Sequence, residues 1–126
     1  MSLCVAAAGK TILLVATSFN LSWTHSVEKV TWQEDWQVTA AGLSLLTARV
    51  KGSGAGMEPG EGAILRQGWW EWQPKLAPQQ ELVLAASGAT SSGWRLCIED
   101  GFAYCLDLAQ EPTEAIKLWS CSALPS

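Results

Sequence analysis

The residues best suited to polar chemistry cluster in one short segment. His25, the only histidine of the chain, is followed by Ser26, Glu28 and Lys29. Neighbouring side chains on an extended strand point to opposite faces, so His25 and Ser26 cannot form a nucleophilic pair unless the backbone bends. The segment therefore disfavours a hydrolase triad. It fits a binding site, and the structural alternatives are a histidine at the edge of the core, hydrogen-bonded to backbone, and a solvated strand end at Glu28 and Lys29.

A glycine-rich segment follows further along the chain. Residues 51–62 contain five glycines in twelve positions, a composition that lets backbone N–H groups face a ligand. Arg49, Lys51 and Lys29 would supply charge-assisted donors to a carboxylate. We predict that both segments form one site for a small anionic solute or a transporter component, with Trp69 or Trp70 as an apolar wall. Its residues are His25, Ser26, Glu28, Lys29, Arg49, Lys51, Gly52, Ser53, Gly54, Met57 and Glu58.

Two other functions fit parts of the sequence. Eight tryptophans in 126 residues would suit a carbohydrate-binding module that stacks sugar rings on exposed indoles, although tryptophans also fill cores. A carboxylate-dependent hydrolase would need paired acids such as Glu28, Glu34 and Asp35. Glu28 and Glu34 lie about 20 Å apart on an extended strand, too far for glycoside hydrolysis unless the chain folds back. We therefore expect a non-enzymatic protein.

Two of the four cysteines predict a cross-strand disulfide. Cys97 and Cys105 flank Asp100-Gly101, a strong hairpin-turn signal. A plain two-residue turn there would place Cys97 opposite Tyr104. The pairing of the two cysteines therefore needs a bulge or a longer loop.

The remaining cysteines, Cys4 and Cys121, are expected in the first and last strands and form the second predicted disulfide. Disulfides persist outside the cytosol, which favours a periplasmic or otherwise extracytoplasmic protein. Buried free thiols in a cytoplasmic protein are the alternative. Lys10 interrupts the apolar start, so no secretory leader is recognised in this chain, which fits a leader already removed. We expect no metal site and no cofactor, because no Cys-x-x-Cys pair occurs and the histidine is distant.

The length and composition of the chain indicate one folded domain and disfavour two classes of partner. The length of 126 residues suits a single domain spanning residues 1–126, and 48% hydrophobic against 16% charged residues predicts a folded chain. The net charge of −4 argues against nucleic-acid binding. No apolar run approaches the roughly 20 residues of a membrane span, so no membrane insertion is expected. The sequence does not indicate an oligomeric state.

Period-two alternation identifies the elements that must position the site. Phe19, Leu21 and Trp23 alternate with polar residues, as do Trp32 and Trp36 further on. We predict an all-β domain of about eight or nine short antiparallel strands, either a small β-sandwich or a partly open β-barrel. In residues 69–72, Trp70 and Trp72 should share one face and Trp69 the other. A helical turn starting at residues 111–114 competes with the last strand.

Four groups of residues occur together in this chain: residues 25–29 with Trp32-Gln33-Glu34, residues 49–59, Gly68-Trp69-Trp70, and Trp94-Arg95-Leu96-Cys97 with the later Cys105. Together they resemble a known bacterial family, domain of unknown function 1850, over nearly the whole chain. The resemblance implies export and genes that neighbour those of tripartite TAXI-type solute transporters. It supplies no established catalytic activity that could be carried over to this chain.

Overall fold

A computed structural model describes residues 2–7, 9–24, 30–51, 62–84, 94–98, 104–108 and 115–121. Within these ranges the regular structure is entirely β, and no helix there is long and apolar enough to cross a membrane. The strands are β1 (Ser2–Ala7), β2 (Lys10–Val15), β3 (Ser18–Thr24), β4 (Thr31–Thr39), β5 (Gly42–Lys51), β6 (Ile64–Arg66), β7 (Trp69–Trp72), β8 (Leu82–Leu84), β9 (Trp94–Ile98), β10 (Tyr104–Leu108) and β11 (Ile116–Cys121).

The strands form two antiparallel sheets. One has four strands in the order β2-β1-β11-β8, and the other has seven in the order β10-β9-β3-β4-β5-β7-β6. The all-β prediction is confirmed. The two sheets do not close into a barrel, so of the two predicted architectures the structure has the β-sandwich. More strands are present than the eight or nine expected, partly because β6, with three residues, is too short to show alternation.

The core lies between the inner faces of the two sheets. Alternation in β3 places Phe19 and Leu21 inside, as predicted, and the same pattern in β1 buries Leu3 and Val5. One cluster joins these side chains to residues of both sheets. Its members are Leu3, Val5, Ala16, Phe19, Leu21, Trp36, Val38, Leu43, Leu84, Leu96, Ile98, Leu108, Ile116 and Leu118.

A β-bulge in β5 changes which residues face outward. Trp36 pairs with Leu45 whereas Asp35 pairs with Thr47, so Leu46 is left over. In β5, the odd-numbered residues before the bulge point toward the four-stranded sheet, whereas after the bulge the even-numbered residues do. Arg49 consequently points to the outer face of the seven-stranded sheet, the face directed away from the four-stranded sheet.

Both predicted disulfides are present. Cys4 in β1 is bonded to Cys121 in β11, and Cys97 in β9 to Cys105 in β10. Ile98 pairs with Tyr104, so the second disulfide has the longer connection that its register requires. The Asp100-Gly101 turn lies outside the described residues, as does the helical turn considered at residues 111–114.

Gly42 anchors the connection between the two sheets. The segment that leaves β7 for β8 pairs with β5 at Leu43, whose N–H donates to the Gln79 carbonyl at 2.8 Å while the Gln79 N–H donates back at 2.7 Å. Gly42 has a φ of 130°, and a Cβ atom there would lie 2.5 Å from the same carbonyl oxygen. The position therefore requires glycine.

Candidate functional site

The outer face of the seven-stranded sheet carries a continuous polar row. Antiparallel register aligns Ser22, Gln33, Arg49 and Glu71 across β3, β4, β5 and β7. Along each strand these positions alternate with residues that point to the inner face, which is why they share the outer face. The row brings hydrogen-bonding side chains from four strands together on a rigid support.

Arg49 stands at the centre of this row. Its Nη2 lies 2.5 Å from Oδ2 of Asp35, its Nη1 donates to Oε1 of Gln33 at 3.3 Å, and its Nε lies 3.9 Å from Oε2 of Glu71. Asn20 donates to the other Asp35 oxygen at 2.8 Å. The hydrogen bond to Asp35 is the main cause that raises the pKa of the Arg49 guanidinium, which therefore stays charged. The network holds Arg49 in place.

Two depressions meet at Gln33 and Arg49, and together we call them the outer groove. The first, of about 540 Å³, also borders Asn20, Asp35 and Cys97 of the second disulfide. The second, of about 680 Å³, extends over β7 and β6 and is the more cationic. It is lined by Gln33, Arg49, Arg66, Gln67, Trp69 and Glu71.

The cationic end of the outer groove is built around Trp69. Register places Lys51 and Arg66 on either side of it, and the Lys51 Nζ atom lies 5.7 Å from the centre of the Trp69 ring. Within the described part of the chain, neither Lys51 nor Arg66 belongs to an ion pair. This end therefore presents positive charge beside an indole.

A tight turn between β6 and β7 positions Gln67, which also lines the outer groove. Gln67 and Gly68 connect β6 to β7, and both have positive φ, 52° and 88°. Two successive residues of positive φ match the twist of a two-residue hairpin, which is why glycine is favoured there. The turn fixes Gln67 at the mouth of the second depression.

The structure brings part of the predicted site together. Arg49, Lys51 and Trp69 share the outer face, whereas Trp70 lies on the inner face, so of the two proposed walls only Trp69 borders the outer groove. The other predicted site residues lie outside the described ranges. They are His25, Ser26, Glu28, Lys29, Gly52, Ser53, Gly54, Met57 and Glu58.

Sequence reasoning did not select the partners of Arg49. Asp35 was considered as a hydrolase candidate and Gln33 as part of the family resemblance, and neither was assigned to the binding site. Asn20, which donates to Asp35, was noted only as a polar position of an alternating strand. That alternation was the available signal, since it already placed Asn20, Gln33 and Asp35 opposite the apolar face. Gln67 could have been assigned to a hairpin turn, because a glycine follows it and strand-like segments lie on both sides of the pair.

The other two predicted functions find less support in this geometry. Glu34 and Asp35 are adjacent on β4 and point to opposite faces, so they do not form a carboxylate pair. All eight tryptophans are described, and none is in the exposed class: Trp36 is buried and the others are half-buried. No described group of three His, Cys, Asp or Glu side chains could hold a metal ion.

Glu34 occupies an unusual place for a carboxylate. It lies on the inner face of β4, paired with Leu21 on one side and Ala48 on the other, and the Trp36 indole N–H donates to its Oε1 at 3.0 Å. Burial raises the pKa of Glu34 above its ordinary value of 4.5, and the Trp36 hydrogen bond opposes this only in part. Glu34 is therefore a weaker acid in the folded chain than in the unfolded one.

This shift predicts a pH-dependent cost in stability. Because the pKa of Glu34 is higher in the folded chain, the native state holds the proton more tightly than the unfolded state does. The contribution of Glu34 to the free energy of unfolding is therefore greatest below its pKa in the unfolded chain. That contribution is lost as pH rises through its pKa in the folded chain. Replacing Glu34 by glutamine removes that loss and keeps an oxygen acceptor for Trp36. We expect Glu34→Gln to be more stable than wild type at pH 7.5 and to approach it at pH 4, measured by urea unfolding.

Glu81→Gln is the matched control, because Glu81 is exposed. It should follow the wild-type stability curve at both pH values. A Glu34→Gln variant that is less stable than wild type at pH 7.5 would show that the charged form of Glu34 stabilises the fold.

Comparison with known proteins identifies a family. A family model described as Domain of unknown function (DUF1850) matches residues 19–106. This range holds β4, β5, β6, β7 and β9 of the seven-stranded sheet entirely, β3 from Phe19 onward and the first three residues of β10. It also holds the whole lining of the second depression. No curated protein and no solved structure matches the chain.

Proposed function

We propose, from the premise that this chain belongs to the family Domain of unknown function (DUF1850), that it is an extracytoplasmic, non-enzymatic module that binds a small organic anion. The observation that carries the proposal is the cationic end of the outer groove. There a depression of about 680 Å³ is lined by Arg49, Arg66 and Trp69, with Lys51 against the same indole.

The charges of the outer groove favour an anion over a sugar. Arg49 is balanced by Asp35 and Glu71, so it positions polar groups and contributes little free charge. Arg66 and Lys51 carry no such counter-charge among the described residues. Guanidinium and ammonium groups around one carboxylate form charge-assisted hydrogen bonds, while the Trp69 ring covers the apolar part of the ligand.

The extracytoplasmic location is supported by two disulfides, each of which joins neighbouring strands within one sheet. A role as an accessory to solute uptake is part of the proposal, and the family resemblance is its support.

If Arg66 and Lys51 bind the anion, removing the charge of either one should weaken anion binding. A ligand that prefers the native state raises the melting temperature, so succinate, citrate and benzoate are tested by thermal shift and the best of them is titrated calorimetrically. We expect Arg66→Gln and Lys51→Gln each to weaken binding about tenfold, since a charge-assisted hydrogen bond contributes roughly 1.5 kcal/mol.

Two exposed cations outside the outer groove are the matched controls. Arg95→Gln removes a guanidinium on the same outer face, and Lys117→Gln removes an ammonium on the other sheet. Both variants should bind like wild type. Equal weakening by all four substitutions would mean general attraction by surface charge, and no response to any of the carboxylates would refute the proposed function.

A further inference from the structure

The opposite face of the same sheet holds a second group of side chains suited to ligand binding. On the inner face, Trp32 and Trp72 meet edge to face, with ring centres 6.2 Å apart and planes at 81°. Trp23 stacks on the far side of Trp32 at 6.2 Å, with planes 3° apart. The indoles therefore form two perpendicular walls, one of them supported from behind.

Glu34 lies next to these indoles on the same face of the sheet. It shares a cross-strand row with Ala48 and Trp72, and it follows Trp32 by two residues on the same face of β4. Its carboxylate is half-buried and accepts a hydrogen bond from Trp36. Among the described residues, no lysine or arginine forms an ion pair with it.

Trp32, Trp72 and Glu34 are each half-buried, so this part of the inner face stays partly accessible to solvent. Trp23 and Trp94 pack against the shared core cluster, whereas Trp32 and Trp72 are not among the side chains that do so. Glu34 lies at the margin of the core, because its hydrogen-bond partner Trp36 belongs to the core cluster and the two neighbouring indoles do not.

We propose that Glu34, Trp32 and Trp72 form a binding site for an organic ammonium group, such as a quaternary amine. Perpendicular indoles with an adjacent carboxylate are the chemistry that recognises such cations: the ring faces attract positive charge, and the carboxylate balances it at short range. Partial burial of a carboxylate that has no ion-pair partner among the described residues is costly, and an ammonium ligand lowers that cost. The site is independent of the outer groove, which lies on the other face of the sheet.

The test is a titration with choline at pH 8, followed by intrinsic tryptophan fluorescence at constant ionic strength. The neutral isostere 3,3-dimethyl-1-butanol has the same shape without the charge. We expect choline to give a saturable change and to bind at least tenfold more tightly than the isostere. Glu34→Gln and Trp72→Leu should each weaken choline binding at least tenfold.

The controls separate loss of the site from loss of the fold. Glu34→Gln is expected to be stable at this pH, so weaker binding by it does not reflect unfolding. Trp69→Leu removes an indole from the outer face and should leave choline binding unchanged. Absence of saturation by choline, equal binding of the neutral isostere, or unchanged binding by Glu34→Gln would each overturn the proposal.

Discussion

Replacing Cys4 and Cys121 together by alanine is expected to lower the free energy of unfolding by about 4 to 5 kcal/mol. The disulfide joins residues 117 positions apart, on the first and last strands. Chain-entropy arguments give about 4.7 kcal/mol for a loop of about 100 residues, because the bond restricts the unfolded chain. Since domains are stable by about 5 to 15 kcal/mol, this loss is a large fraction of the total.

The second disulfide supplies the comparison. Cys97 and Cys105 are only 8 positions apart, so the same model gives about 2.5 kcal/mol for the Cys97→Ala and Cys105→Ala double variant. Urea unfolding of both double variants and of wild type measures the two losses. A larger loss from the short-loop disulfide would contradict a stabilisation that grows with loop length, and would point to native-state contacts instead.

Gly42→Ala is expected to destabilise the protein by about 3 kcal/mol. The new Cβ would lie 2.5 Å from the Gln79 carbonyl oxygen, and the φ of 130° is unfavourable for any side chain. Relief of the clash requires the segment between β7 and β8 to move away from β5. That movement breaks the two hydrogen bonds between Leu43 and Gln79.

Gly9→Ala is the control for backbone strain without a clash. Gly9 has a φ of 76°, and nothing lies within 4 Å of a Cβ built there. Its replacement should cost about 1 kcal/mol, the general penalty for a left-handed residue with a side chain. Thermal unfolding that shows similar losses for the two variants would mean that the Gln79 contact does not limit Gly42.

The strands of the sandwich follow from local patterns in the sequence. Alternation placed Phe19, Leu21 and Trp23 on one face and separated Trp69 from Trp70, because a strand has a period of two regardless of its partners. The cysteine pairs could also be predicted, since a hairpin and two terminal strands leave few pairings. These features depend on short-range geometry.

The orientation of Arg49 does not follow from alternation alone. Counted from Leu43, strict alternation would place Arg49 and Lys51 on the buried face, and only the bulge at Leu46 turns them outward. A bulge results from how one strand pairs with its neighbour, which cannot be seen in a single segment. The partners of Arg49 were missed for a related reason: Asp35 and Glu71 come from strands on either side of β5.

The same sheet accounts for both proposed sites. Register on the outer face aligns cations from β5 and β6 around Trp69, and on the inner face it places Glu34 next to perpendicular indoles. Both are held by regular strands, which position side chains more rigidly than loops do. The family match covers most of this sheet, so the positions of both sites lie within the region that defines the family.

The most direct measurement of anion binding in the outer groove is an NMR titration of the indole N–H signals. Each of the eight tryptophans gives one signal, and assignment by substitution makes each a reporter of its own surface. With succinate or citrate, we expect a saturable shift of the Trp69 signal and none of the Trp119 signal, since Trp119 lies on the four-stranded sheet. Shifts confined to tryptophans other than Trp69, or no shift at saturating carboxylate, would contradict anion binding in the outer groove.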